Sequence, residues 1–141
     1  MDRTTLLFAL ALVAAVAGTV LVSLYEDPRL AELNRALARD PLVSGYAYRF
    51  RVVAVDGDTA VLSTPRSPQV PVAQVLGILS PSAAGQAPES QAFQAAQEEL
   101  ATVQKRALAI VLEHPDIDDA RWELDRGWLA ARRLPVPQAV N

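Results

Sequence analysis

Residues 4–25 carry no charged side chain, and 6–24 read LLFALALVAAVAGTVLVSL. A helix rises about 1.5 Å per residue and the hydrocarbon core of a bilayer is about 30 Å thick, so roughly 20 apolar residues cross it. In hydrocarbon every backbone N–H and C=O must be paired within the segment, which leaves helix as its conformation. The run is therefore expected to be a single transmembrane anchor over 1–25, followed by one small domain over 26–134 and a frayed tail over 135–141. A cleavable signal peptide competes for the same residues, since Asp2 and Arg3 precede the run and Ala15-Val16-Ala17 fits an A-x-A site. The run continues past that site through Val20, Leu21, Val22 and Leu24, so cleavage would expose an apolar terminus, and retention is the reading adopted. Tyr25 then falls in the interfacial belt. Arg3 and the free amine lie on one side, and Arg29, Arg35 and Arg39 on the other. A literal Lys/Arg count places the domain in the cytoplasm. Long domains translocate largely regardless of charge, however, and the signal-like start favours N-in, C-out, a periplasmic domain. Ala11, Ala15 and the pair Ala14/Gly18 put small side chains on neighbouring turns, the spacing that lets two membrane helices approach. The abundance of alanine throughout the chain accounts for the same pattern.

Removing the first 25 of 141 residues leaves 116, enough for one compact domain. Asp27-Pro28 is a helix start, an Asp N-cap followed by Pro where a missing donor costs nothing. Leu30, Leu33 and Leu37 follow at helical spacing, and Asp40-Pro41 ends the helix. Tyr46, Tyr48, Phe50, Val52 and Ala54 alternate with Arg49 and Arg51 on the other side, which predicts a strand with an aromatic inner face. Asp56-Gly57 and the extended run 59–64 complete a hairpin. Val72, Val75, Leu76 and Leu79 predict a short helix begun near Pro71, with Gly77 weakening it. Residues 80–88, rich in Ser, Ala, Gly and Pro, read as a flexible loop. A long helix over about 89–113 carries a buried stripe of Phe93, Leu100, Val103, Ala107, Ile110 and Val111. Arg121-Trp122-Glu123-Leu124 alternates as a third strand with Trp122 and Leu124 inward, so Trp122→Ala is expected to cost about 3–5 kcal/mol if the ring is buried. Trp128 and Leu129 belong to a last short helix. The fold class is α+β, of order α-β-β-α-α-β-α after the anchor, with a small sheet containing a β-hairpin and helices over one face.

A net charge of −3 argues against a nucleic-acid surface, which needs a basic patch to displace counterions. The absence of cysteine removes disulfides, thiolate metal sites and thiol nucleophiles. The single histidine, His114, ends the long helix, where a capping role suits an imidazole and no Ser/His/Asp grouping accompanies it. Asp116, Asp118, Asp119, Glu123 and Asp125 form the densest acidic cluster, but they lack the central Gly and twelfth-position Glu of an EF-hand loop. Asp56-Gly57-Asp58 is turn chemistry rather than a D-x-D pair. Arg49, Arg51 and Arg66 can form a cationic strip that meets lipid phosphates or an acidic partner; a solvated sheet face that keeps the domain soluble is the preferred reading. No glycine-rich phosphate loop, nucleotide fingerprint or zinc spacing occurs, and no cofactor or metal is expected.

Taken together, Arg35-Ala36-Leu37, Asp40-Pro41-Leu42, Tyr48-Arg49-Phe50-Arg51-Val52, Ser63-Thr64-Pro65-Arg66-Ser67 and Arg121-Trp122-Glu123-Leu124-Asp125 resemble a group of short proteobacterial single-pass membrane proteins of unassigned function, over roughly residues 30–130. Some of that group carry the label glutamate–ammonia-ligase adenylyltransferase. Such a transferase needs a Gly-Ser turn ahead of metal-binding aspartates. Here Ser44-Gly45 runs in the reverse order and Asp56 and Asp58 lie at a turn, so no active-site residue carries over. The resemblance implies an inner-membrane setting. The expectation is thus a non-enzymatic, membrane-anchored protein-interaction module, an accessory subunit or assembly factor of an inner-membrane complex. Its partners would be the bilayer and another membrane protein or itself, with no nucleic acid. The alternative is a sensing domain that binds an anion or a lipid headgroup.

Overall fold

The computed structural model describes residues 2–138. Helix α1, Arg3–Leu24, contains the apolar run, and its described side chains are all exposed. Thr19, one of its few polar residues, turns its hydroxyl back on the Ala15 carbonyl at 2.7 Å, which satisfies it within the helix. Helix α2, Pro28–Arg39, begins as its sequence dictates: Asp27 caps it by accepting from the Arg29 amide, and Pro28 takes the first position. Leu33 and Leu37 are its buried stripe.

Asp40-Pro41 does end α2, but the chain at once starts another turn. Asp40 accepts from the Leu42 and Val43 amides, both at 3.1 Å, and so caps the four-residue helix α3, Pro41–Ser44. Gly45 closes it by donating to the Pro41 carbonyl; a Cβ at position 45 would lie 2.8 Å from that oxygen, so only glycine fits. This extra helix and the one-turn 3₁₀ segment Pro81–Ala83 are the departures from the expected element order. Ala83 is buried, which ties down the stretch read as a flexible loop.

The first strand is shorter than its alternation suggested. β1 is Val52–Asp56, and residues 46–50 approach it as an irregular segment that sinks Tyr48 and Phe50 into the core. Tyr48, Phe50 and Val52 are buried between exposed Arg49 and Arg51, as expected. Beyond Val52 the pattern fails. A bulge between Val52 and Ala54 exposes Ala54 and turns Val55 toward the core instead. An extra residue in one strand reverses the faces of everything after it. The hairpin to β2, Thr59–Thr64, turns at Gly57-Asp58, with Gly57 at φ 60°, the position where type II′ turns place glycine.

The sheet has the order β1-β2-β3, with β1 antiparallel to β2 and β2 parallel to β3, Asp119–Leu124. A parallel partner requires a crossover. It is supplied by α4, Val72–Leu79, the 3₁₀ turn and α5, Gln91–Leu112. Gly77 does not disrupt α4, where Val75, Leu76 and Leu79 are buried. Ser90 caps α5 at the Phe93 amide, and the whole expected stripe is buried, together with Ala96. Central β2 is buried from Ala60 to Thr64, so both of its faces are covered rather than one.

Trp122 is not a core residue. It shares its side of β3 with Ala120 and Leu124 and meets Phe50 edge-on at 5.9 Å, but β3 is an edge strand and 37% of Trp122 stays accessible. Leu129 of the last helix, α6, Arg126–Ala131, is by contrast fully buried. After α6, Leu134 packs on the core and the Pro137 carbonyl accepts from Arg126 at 2.9 Å; of the segment read as a frayed tail, residues 139–141 lie outside the described residues.

Candidate functional site

The sequence offers Arg49, Arg51 and Arg66 as a cationic strip. Two of them line one cleft of about 630 Å³. α2 contributes Asn34, Leu37 and Ala38, α3 contributes Val43 and Ser44, and the irregular approach to β1 contributes Arg49, Phe50 and Arg51. Arg66 follows β2, exposed, and is not among the lining residues. Leu37, Val43 and Phe50 are buried and form an apolar floor, while Arg49 and Arg51 are exposed at the margin.

The walls are fixed by two hydrogen-bonded ties. Asn34 Oδ1 accepts from the Val52 amide at 2.8 Å while its Nδ2 donates to the Val52 carbonyl at 2.9 Å. One side chain thereby satisfies both backbone groups at the residue where the bulge begins and clamps α2 to β1. The second tie centres on Asp125, the N-cap of α6. Its Oδ1 accepts from the Trp128 amide at 3.0 Å, and its Oδ2 accepts from the Tyr48 hydroxyl at 2.9 Å and from Arg51 Nη1 at 3.2 Å. Burial presses the Asp125 carboxyl toward its neutral form. The Trp128 amide, the Tyr48 hydroxyl and the Arg51 guanidinium together outweigh that pressure and hold it below the usual carboxylate range. Burial pushes the Tyr48 hydroxyl well above its ordinary value; Ser63 beside it opposes the rise without a well-formed hydrogen bond, and Asp125 adds to it. Tyr46, stacked on Phe50 at 6.1 Å, is pushed up to about 12, mainly by burial and then by Glu99.

The two arginines therefore differ. Arg51 is committed in part, through Asp125 and through its carbonyl, which accepts from the Ser63 amide. Among the described residues no hydrogen bond or ion pair holds the Arg49 side chain. Asp40, the carboxylate next to α3, is occupied by the Val43 amide, then by Arg106 at 2.7 Å and by the Leu42 amide, and these hold it below the usual carboxylate range. No family model, curated protein or solved structure matches the chain. The cleft sets a cationic margin, Arg49 and Arg51, around a buried apolar floor.

His114 and the hairpin aspartates make contacts within the fold. His114 lies one residue beyond the Glu113 C-cap of α5; its Nδ1 accepts from the Asp116 amide, and its Nε2 faces Glu32 Oε2 at 2.9 Å. That assigns the proton to Nε2 and makes the ring a tether between α5 and α2. The Asp58 carbonyl accepts from the Asp118 and Asp119 amides, so the D-x-D turn helps to seat β3. Arg29 binds the Gly57 carbonyl at 2.7 Å and holds the Asp27 carboxyl below its usual range, chiefly through a side-chain hydrogen bond. Among the described residues no three His, Asp or Glu side chains come together to hold a metal ion. Ala11, Ala14, Ala15 and Gly18 are all exposed along α1, and a Cβ added to Gly18 meets nothing within 4 Å. Asn34 and the capping role of Asp125 were not read from sequence. Asp125 sits one residue before a helix, the position where a cap is sought, but its distance in sequence from Tyr48 and Arg51 hides their association.

Proposed function

We propose that the chain is a single-pass, membrane-anchored module that acts by contact rather than by chemistry, as an accessory subunit or assembly factor in an inner membrane, with its α+β head on the periplasmic side. One observation carries the anchor: Arg3–Leu21 has a mean hydropathy of 2.3 with none of that window buried, while the head closes its own core without it. An exposed apolar helix of this length is stable in hydrocarbon and a severe liability in water. The contact role draws support from the use of the polar side chains. Asp27, Asp40 and Asp125 cap helices, and His114 and Asn34 join elements.

The test begins with alkaline carbonate extraction of membranes holding the full chain, which is expected to leave it in the pellet. Reporter fusions after Asn141 are expected to show alkaline phosphatase activity and no green fluorescence. Crosslinking in intact membranes is expected to join it to another protein or to a second copy. A carbonate-soluble product, or a mature chain starting at Gly18, refutes the anchor; recovery only as an isolated monomer refutes the contact role.

A further inference from the structure

The cleft and the anchor stand at opposite ends of the head. Arg29, at the start of α2, binds the Gly57 carbonyl at the hairpin turn, and only residues 25–27, at most roughly 10 Å of chain, separate α2 from the end of α1. From Gly57 the extended chain leads back through β1 to Arg51 and Arg49, and the distance covered is roughly 20 Å. The turn end is acidic. Asp27, Asp56, Asp58, Asp116, Asp118 and Asp119 belong to it by chain position or contact, since the Asp118 and Asp119 amides bond the Asp58 carbonyl and the Asp116 charge acts on Arg29; against them stand only Arg29, paired with Asp27, and Arg121, 3.9 Å from Asp56, among the described residues named at this end. Bacterial and other anionic lipid surfaces attract basic segments and repel acidic ones, with a reach of about a Debye length. The charge order therefore presents the wrong end to lipid and turns the free cation of Arg49 outward.

Building on the contact-module reading, we infer that the cleft between α2, α3 and Arg49-Phe50-Arg51 is a docking site for an acidic, apolar peptide segment of a partner protein. A carboxylate of that segment pairs with Arg49, and the adjoining apolar side chain lies over exposed Ala38, above the buried Leu37, Val43 and Phe50. Planar guanidinium matches carboxylate with two parallel hydrogen bonds, and among the described residues nothing occupies the Arg49 donors, while Arg51 adds positive potential from its place beside Asp125. A lipid headgroup offers the same negative charge but from the plane next to the acidic turn.

The test uses the full chain, isotope-labelled, in nanodiscs of phosphatidylcholine. It is titrated with a peptide of alternating glutamate and leucine and with its glutamine counterpart, and the discs are separately doped with phosphatidylglycerol. The glutamate peptide is expected to shift the amides of Ala38, Ser44 and Arg49, and Arg49→Glu and Arg49→Gln are each expected to weaken it by about tenfold or more while leaving the rest of the spectrum in place. Phosphatidylglycerol is expected to leave those amides unmoved. Equal binding of the glutamine peptide, no binding of either, or indifference to both Arg49 variants overturns the proposal, and a response of the cleft to phosphatidylglycerol assigns it to lipid instead. All these readings are made on a chain already in a membrane, so failure here leaves the anchor standing.

Discussion

Replacing Asp125 with alanine removes three bonds at once, and the structure lets their cost be apportioned. Loss of the cap on α6 costs about 1 kcal/mol. The Tyr48 hydroxyl, on a side chain buried among Phe50 and Trp128, loses its acceptor at about 1–3 kcal/mol. The Arg51 pair adds under about 1 kcal/mol, since nearly half of that side chain is in water. The sum is about 2–5 kcal/mol, to be measured by urea unfolding of the full chain in nanodiscs, followed by tryptophan fluorescence. Tyr48→Phe in the Asp125→Ala background is expected to recover about 1 kcal/mol, because the stranded donor goes with its acceptor. A loss below about 1 kcal/mol, or strictly additive effects of the two changes, would refute the assignment of Asp125 as the joint between Tyr48, Arg51 and α6. The same carboxylate fixes the sign of a pH effect. Its folded value is depressed, so its contribution is complete above the unfolded value near 3.9 and is lost as pH falls through the folded value. Acidification below about pH 4 is expected to erode the stability of the parent chain more than that of Asp125→Ala.

Asn34→Ala is expected to cost about 2–3 kcal/mol by thermal or urea denaturation, because it orphans the amide and carbonyl of buried Val52; a neutral result would mean that the clamp on the bulge is dispensable. Trp122→Ala is expected to cost only about 1–2 kcal/mol and Leu129→Ala about 3 kcal/mol, an order that the opposite ranking in denaturant midpoints would refute.

Helices were legible where short-range chemistry dictates them. Asp27-Pro28 announces its helix through a cap, and the stripe from Phe93 to Val111 repeats with the helical period, whereas the Ser90 cap was not read. The hairpin followed from Asp56-Gly57 for the same reason. Strand limits were not legible, because pairing rather than local preference sets them. Tyr46 to Phe50 alternate as a strand does, but the caps and close-packed Gly45 that build α3 start the segment at an angle that delays the ladder until residue 51. The bulge after Val52 adds one residue that no local pattern marks, and it flips Ala54 and Val55. Trp122 shows the limit of alternation: it gives the side of a strand, while burial depends on whether a neighbour lies beyond it. Of the arginine strip, Arg49 and Arg51 meet in a cleft because they flank Phe50, whereas nothing in the sequence ties Arg66 to them.

The parallel seam between β2 and β3 has a bearing on biogenesis. Thr64 waits for Leu124, and Asp119 must reach Thr59 across the entire α4–α5 excursion. During synthesis residues 3–24 are made long before that seam can close. Closure of that seam is non-local and therefore slow, because the entropy of closing the whole crossover is lost before any β2–β3 contact forms.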